Sequence, residues 1–428
     1  MSSSYEFWLL DDSGKRFLLL EEMAFFSYSR TVKGFGTLLV GIPYHAFREK
    51  QFPVFQPDWR IQVMRSAGMG IPMREEQTYV LRMFNIYKRE GDGIEIIRFY
   101  GRDAKDLLRR RIVIQAAGTS WTRKEDTIDD MMKEIVQEQM LYGSALDETG
   151  VVDNTRAFPE DEFLVQGAVS LGPSVTATFA ERYVLDVLKE LQEMSFQLNE
   201  ESSALYSRIY FDVISFDAEG RLLEILDEDG NSILDEDGDS LLDEESLETS
   251  AKQGFKFVTF ADLRGEDRTE SALVFSVENN NLDGPDYTKD FTQEENSIIV
   301  KGFGRGDSRA FERVQDDARV GASRWNLCEG YEDASTEPEQ DNLADFGYAR
   351  LDKERPREDL NAVFLNVGGG MDLPRSLYGV DWDLGDLLPV DYAGERFNVE
   401  VTIVYVAINQ DGKETITGRS DVHVSDQG

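Results

Sequence analysis

The sequence predicts an α+β protein, mainly β, and three observations predict it. Apolar and polar residues alternate with period two in the first hundred residues and again over 397–408, the mark of half-buried strands. Two intervening stretches carry the apolar stripe of amphipathic helices. The signals come in segregated runs (strands, helices, strands, one helix, strands), which argues against a doubly wound parallel sheet.

Taken in order, Ile61 and Val63 alternate with Arg60 and Gln62, and Ile94 and Ile96 flank Glu95. Residues 78–87 are rich in Tyr, Val, Leu, Phe and Ile, and residues 89–93 (REGDG) are a turn signal, so a hairpin is expected within a small antiparallel sheet or barrel. That sheet ends near Gly101, and residues 103–110 become helical or turn-like around Leu107 and Leu108. Ile128, Met131, Met132, Ile135 and Val136 then form a helical stripe, opened by Thr127 and Asp130 as a capping pair. A second stripe runs through Val184, Val187, Leu188, Leu191 and Met194. Both read as core faces, with a groove for a partner as the alternative.

Strands resume at Ile209, Phe211 and Val213. Residues 225–232 (ILDEDGNS), 233–240 (ILDEDGDS) and 241–248 (LLDEESLE) form an eight-residue tandem repeat. Residues 221–248 hold twelve acidic side chains and a single basic one, Arg221. Aliphatic pairs followed by Asp-Gly turns predict a small meander projecting from the body. Residues 254–260 and 273–277 read as strands, 279–289 (NNNLDGPDYTK) as a loop, and 297–300 as a strand ahead of Gly302, Gly304 and Gly306. A helix is expected over 338–353, with Leu343, Phe346 and Leu351 buried and Pro356 as its stop. Strands return at Val363, Leu365 and Val367, then over 397–408, where Val399, Val401, Ile403 and Tyr405 share a face. Residues 409–413 (NQDGK) turn into a last strand at 414–417, and 425–428 are expected to fray.

At 428 residues the chain exceeds one ordinary core of ~100–150 residues, so two to four packed units are expected. Its 41% hydrophobic and 11% aromatic content argues against wholesale disorder. Lys and Arg total 45 against 83 Asp and Glu, a net charge of −38 that repels nucleic acid and anionic membranes. The surplus reads either as solubility or as a specific electrostatic role. Cys328 stands alone, which excludes an intramolecular disulfide or a multi-cysteine zinc site, and it reads as a small apolar filler. Residues 1–20 lack a basic region followed by an apolar run, and no window of about 18 apolar residues occurs. The expectation is a protein made in a cytoplasm, spanning no membrane and soluble until it meets a partner.

Motifs that carry chemistry are scarce. The two histidines, His45 and His423, lie near opposite ends of the sequence, and neither HExxH nor GxSxG occurs. Gly302-Phe303-Gly304-Arg305-Gly306 leads to no Walker lysine, and Gly368-Gly369-Gly370 is followed by Leu373 and Pro374, so both read as turns or bulges. The Arg305-Gly306-Asp307 tripeptide is short enough to arise by chance, and so many acids make any glycosidase-like pair uninformative. The metal candidate is the acidic repeat. Asp227, Asp229 and Asn231, then Asp235, Asp237 and Asp239, alternate around Gly230 and Gly238, an oxygen spacing that suits calcium. Against it, Gly230 is fourth from Asp227, where an EF-hand places its glycine sixth, and a solvated acidic insertion is the alternative. Arg102, Lys105, Arg109, Arg110 and Arg111 form a basic cluster without interleaved aromatics, which reads as inter-subunit or strand-edge salt bridging rather than nucleic-acid binding.

Several blocks, in order over residues 20–420, resemble the tail-hub proteins of siphophages, a family related in fold to the baseplate hub of contractile tails. They are Trp59-Arg60-Ile61-Gln62-Val63-Met64-Arg65, residues 79–87 and 96–102, and residues 101–113 (GRDAKDLLRRRIV). Further on come Gly302 to Gly306 with Arg309, Ala322-Ser323-Arg324-Trp325-Asn326, Glu332-Asp333-Ala334, and a helix ending at Lys353-Glu354-Arg355-Pro356. The most specific is 378–388 (YGVDWDLGDLL), similar to the family's tyrosine-glycine-x-aspartate-aromatic, then glycine-aspartate pattern.

The resemblance implies two tail-tube-like β-barrel domains plus smaller helical and β domains. The first barrel falls over 1–110, a helix-containing domain over 111–205, a β domain over 206–290 with the acidic insertion at 221–248, and the second barrel with its connecting helix over 291–428. It further implies a non-enzymatic virion component at the tail tip, made in the host bacterial cytoplasm. Such a homotrimeric ring joins the distal tail protein to the tip. Its neighbours are the tape-measure protein and tail-tip fibre or receptor-binding proteins, and phage DNA passes through it without specific binding. No cofactor is expected apart from the calcium candidate; the acidic repeat departs from the family's pattern as an insertion, and the resemblance implies no role for it. The alternatives are a tail-tip host-receptor or carbohydrate-binding protein, and a tail-associated peptidoglycan hydrolase.

Overall fold

The alternating segments at the start of the chain become seven strands: β1 (Ser4–Leu10), β2 (Arg16–Leu19), β3 (Phe25–Thr31), β4 (Thr37–Pro43), β5 (Arg60–Ser66), β6 (Arg74–Lys88) and β7 (Glu95–Asp103). The structure, a computed structural model, describes residues 3–45, 56–68, 70–89, 93–114, 122–179, 181–201, 207–217, 252–302, 309–334, 343–368, 374–409 and 413–423. β6 and β7 pair antiparallel, with Lys88 opposite Glu95 and Arg89 N donating to Ile94 O, while residues 90–92 of the turn signal lie outside the described residues. A 3-10 helix over Ala104–Arg110 follows, opened by the Asp103 carboxylate accepting from Lys105 N.

Next come β8 (Ile112–Val113), β9 (Thr122–Thr127), α1 (Ile128–Met140), β10 (Phe163–Val165), β11 (Ser174–Phe179), β12 (Arg182–Tyr183) and α2 (Val184–Glu201). Both helical stripes face a core: Ile128, Met131, Met132, Ile135 and Val136 are fully buried, as are Val184, Val187, Leu188 and Leu191. The capping pair does not form. Thr127 makes no side-chain cap bond, and Asp130 instead accepts from Val169 N, Ser170 N and Ser170 Oγ, pinning that loop to the helix start.

The remaining elements are β13 (Ile209–Asp217), β14 (Gln253–Ala261), β15 (Leu282–Asp290), β16 (Ser297–Lys301), β17 (Phe311–Gln315), α3 (Asp317–Gly321), β18 (Glu329–Asp333), α4 (Leu343–Lys353), β19 (Arg357–Leu365), β20 (Leu387–Tyr392), β21 (Glu395–Ile408) and β22 (Glu414–His423). Four differ from the sequence reading. Residues 279–289 were expected as a loop because Asn, Asp, Gly and Pro crowd them, yet β15 is an edge strand, where Pro285 is tolerated beside a bulge between Asp283 and Asp286. Residues 273–277 make a bridge at Phe275 to Val390 and no strand. In α4, Leu343, Gly347 and Leu351 face inward at spacing four, which leaves Phe346 37% exposed. In β21 a bulge between Val401 and Ile403 reverses the phase, so Val404 and Val406 are buried and Tyr405 is not.

Twelve strands share one sheet, ordered β15-β19-β22-β21-β3-β4-β7-β6-β5-β1-β2, with β20 paired to β21 off this path. The described strands form no closed barrel. The sheet joins two distant parts of the chain at β3 and β21, from Phe26 opposite Ile408 to Thr31 opposite Ile403. One hydrophobic cluster spans the joint, drawing Phe7, Tyr28 and Phe99 from the first part and Phe364, Trp382 and Val404 from the second.

A second cluster gathers the 3-10 helix, α1, α2 and the β13–β14 pair. β13 lies between the two, giving Ile209, Phe211 and Val213 to the second cluster and Tyr210 to the first. A third, small cluster packs α4 on β16 and β17 through Ile298, Val300, Val314, Leu343 and Leu351. Among the described residues no helix is long and apolar enough to cross a membrane.

Candidate functional site: a buried fastening between the sheet halves

Residues 378–388 make a turn that requires glycine twice. Gly379 and Gly385 have φ of +80° and +87°, in the left-handed region that side chains disfavour. Gly379 N donates to Trp382 O at 2.7 Å, and Gly385 N to Val401 O at 2.8 Å. The turn drives Trp382 into the core, with ring centroids 5.2, 5.9 and 6.2 Å from Tyr378, Phe364 and Phe275. Asp386 ties the turn to residues 266–268, accepting from Glu266 N at 2.8 Å and Arg268 Nε at 2.6 Å, and it also takes Asp383 N at 2.8 Å.

Tyr378 and Asp383 then meet four side chains of the N-terminal strands: Arg30 on β3, Arg65 on β5, and Arg74 and Glu76 on β6. Arg30 Nη1 donates to Tyr378 Oη at 2.6 Å and to Asp383 Oδ1 at 2.7 Å. Tyr378 Oη donates to Glu76 Oε2 at 2.6 Å, and Arg74 Nη2 reaches Asp383 Oδ2 at 2.7 Å and Glu76 Oε1 at 3.2 Å. Arg65 Nη1 donates to Tyr378 O at 3.0 Å while its guanidinium lies 4.9 Å from the Tyr378 ring centroid. The buried charges of Arg30 and Glu76 persist because each meets an opposite charge and a polar partner.

Burial would raise the Asp383 carboxyl, but Arg30 and Arg74 outweigh it and hold it at about 2. The stability it contributes is therefore present above pH ~4 and lost as the pH falls through about 2. Burial pushes the Tyr378 phenol well above its ordinary range, against Arg30 and with Glu76 and Asp383, so Oη keeps its proton for Glu76. The arrangement fastens the halves together and offers no activated nucleophile.

A second buried group joins the first cluster to the second. Lys105, 2% exposed, donates to Thr31 O at 2.6 Å and lies 3.7 Å from Asp103 Oδ2 and 3.6 Å from Asp212 Oδ1. Asp103 also accepts from Gly36 N at 2.6 Å, and Arg264 grips Asp212 at 2.9 and 2.6 Å. Burial pushes the Asp103 carboxyl up to about 6, past the opposing Lys105 ammonium and with help from Asp212. For Asp212, burial is overcome by Lys105 and Arg264, which hold its carboxyl below the usual range.

A carboxyl raised by folding favours the folded state while protonated. Its contribution is complete below pH ~4 and lost as the pH rises through about 6, a change on the order of 3 kcal/mol. Asp103→Asn should therefore remove that much of the stability loss between pH 4 and 7, read from denaturation midpoints. Equal pH slopes in the two proteins would refute it.

The calcium candidates Asp227, Asp229, Asn231, Asp235, Asp237 and Asp239 lie outside the described residues, as do Gly304, Gly306, Gly369 and Gly370. Among the described residues no group of three or more His, Cys, Asp or Glu side chains is placed to hold a metal ion. The basic cluster works within the chain: Arg102 pairs with Asp106 and Arg110 with Asp58, both at 2.8 Å, while Arg109 and Arg111 lie over Phe35 and Phe158. Its aromatic partners are distant in sequence, which local spacing does not reveal. Sequence reasoning passed over Arg30, Arg74, Glu76 and Asp212. A signal was present in β5, where Arg60, Gln62 and Arg65 interrupt a strand buried on both faces.

No protein-family model matches the chain, and no curated protein matches it. Among solved structures it is similar to the 43 kDa tail protein of prophage MuSo2 from Shewanella oneidensis, 11% identical over 97% of this chain and 98% of that one, with a TM-score of 0.48. A tail protein from Neisseria meningitidis MC58 is 10% identical over 97% and 96% of the two chains, with a TM-score of 0.48. A prophage tail protein from Listeria monocytogenes EGD-e is 9% identical over 98% and 95%, with a TM-score of 0.44.

Proposed function

We propose that this chain is a structural hub of a phage tail, three copies of which close a ring at the tail tip. That ring would join the distal tail ring to the tip and surround the DNA exit channel. The observation that carries the reading is the fastening at 378–388: the most family-like block of the sequence is what locks two strand groups into one sheet. One group is β1–β7 and the other is β15 with β19–β22. Two strand groups per chain become six in a trimer, the number an adaptor between threefold and sixfold parts needs. In this reading the groups are completed as tube-like barrels by neighbouring copies. A carboxylate-rich wall would keep passing DNA from adhering.

The edges support assembly over indiscriminate pairing. β2 is four residues long, and β15 carries Pro285, a bulge and the charges of Asp283, Asp286 and Lys289, devices that discourage unplanned strand addition. The outer part of β6 instead presents Met83 and Ile86, 53% and 44% exposed, as an apolar arm suited to a subunit contact. At micromolar concentration mass photometry should find a species three times the 48.7 kDa of the chain. Ile86→Glu should weaken that assembly by at least ~10-fold without changing the melting temperature. A species that stays at 48.7 kDa at every concentration, with the variant indistinguishable from it, would sink the reading.

A further inference from the structure

A cavity of about 390 Å³ lies where the first cluster, the 3-10 helix and the second cluster meet, lined by Arg60, Arg110, Arg111, Phe158, Phe163 and Phe255 among others. Two of its guanidinium groups, Arg60 and Arg111, are held by backbone carbonyls. Arg60 is 7% exposed, donates to the carbonyls of Gln253 and Asp12, and lies 4.4 Å from the Phe255 ring centroid. No described carboxylate pairs with it. Arg111 donates to the carbonyls of Arg156 and Arg110 and lies 4.8 Å from the Phe158 centroid. Arg110 pairs with Asp58, yet its Nη2 is buried without a hydrogen-bond partner.

The electrostatics follow from that geometry. Burial pulls the Arg60 guanidinium down to about 10 against the nearby Glu162, Asp11, Asp58 and Asp12 carboxylates, and burial with the nearby Arg156 and Arg110 lowers Arg111. The acids of the cavity are engaged or peripheral: Asp58 with Arg82 and Arg110, Glu162 with Lys252, and Asp12 on the exposed rim. Guanidinium groups held by carbonyls instead of a direct ion pair, as Arg60 and Arg111 are, gain from a ligand that brings a carboxylate, which they bind bidentately. The phenylalanine walls add an apolar surface beside the charge.

We propose that this cavity is a docking site for a partner's peptide segment in which carboxylates stand next to aliphatic side chains. The carboxylate sits between Arg60 and Arg111, and the aliphatic chains lie on Phe158, Phe163 and Phe255. The test is calorimetric titration of the full chain with a capped Val-Leu-Glu-Leu-Asp-Gly peptide, a sequence the chain itself does not contain. The amide analogue Val-Leu-Gln-Leu-Asn-Gly and inorganic phosphate serve as comparisons. The acidic peptide should bind, and both the amide analogue and the Arg111→Met protein should bind at least ~10-fold more weakly. Should the substitution impair folding, the amide analogue on the unaltered protein still decides. Absence of heat with the acidic peptide, equal binding of the amide analogue, or phosphate binding as tightly as the peptide would each overturn the proposal.

Discussion

Alanine in place of Glu76 is expected to lower the unfolding free energy by about 3–5 kcal/mol. The Glu76 side chain has no exposed surface, accepts the Tyr378 hydroxyl at 2.6 Å, and lies 3.5 Å from Arg30 and 3.2 Å from Arg74. Its removal leaves Asp383 to serve two guanidinium groups, and Arg30, 10% exposed, cannot turn to water for relief. Tyr378 loses its acceptor at the same time. Glutamine at this position keeps an acceptor while losing the charge, so it should fall between alanine and the parent. Denaturant midpoints at unchanged m-value measure the difference. A loss below ~1 kcal/mol for alanine would mean that Asp383 neutralises both arginines alone.

Truncating Trp382 to alanine should cost a similar ~3–5 kcal/mol, for a different reason. The indole is wholly buried, with Nε1 donating to Ser376 O at 3.2 Å, and it fills the space over Gly418, where even a Cβ would come within 2.9 Å of its ring. The cavity left behind cannot collapse easily, because the surrounding backbone is pinned in the β21–β22 ladder. The damage should be local to one cluster. Amide exchange in β3 and β21 should accelerate, while α1 and α2, which pack in the second cluster, keep their protection. Uniform acceleration across both would show that the two clusters unfold as one.

Much of this architecture was legible in the sequence where a signal is local. The stripes of α1 and α2, the β6–β7 hairpin and the strand at β21 follow from periodicity and turn chemistry. What failed depended on tertiary context. A bulge in β21 exchanged Tyr405 for Val404 and Val406 as core residues, a shift no alternating pattern announces. β15 hid behind loop-forming residues because an edge strand tolerates them. The 378–388 block was visible as a motif, but its partners Arg30 and Glu76 lie more than 300 residues earlier. Only the folded chain brings them together.

The pairing of β3 with β21 also sets a clock on synthesis. Thr31 leaves the ribosome roughly 370 residues before the Ile403 it must face. At ~5–20 residues per second, that is an interval of about 20 to 70 s during which β3 has β4 beside it but lacks β21 on its other side. The first strands must pass that time without aggregating, and such long-range pairing is intrinsically slow. For this chain, the interval between translation and completion of its main core is an exposure that chaperones would be well placed to cover.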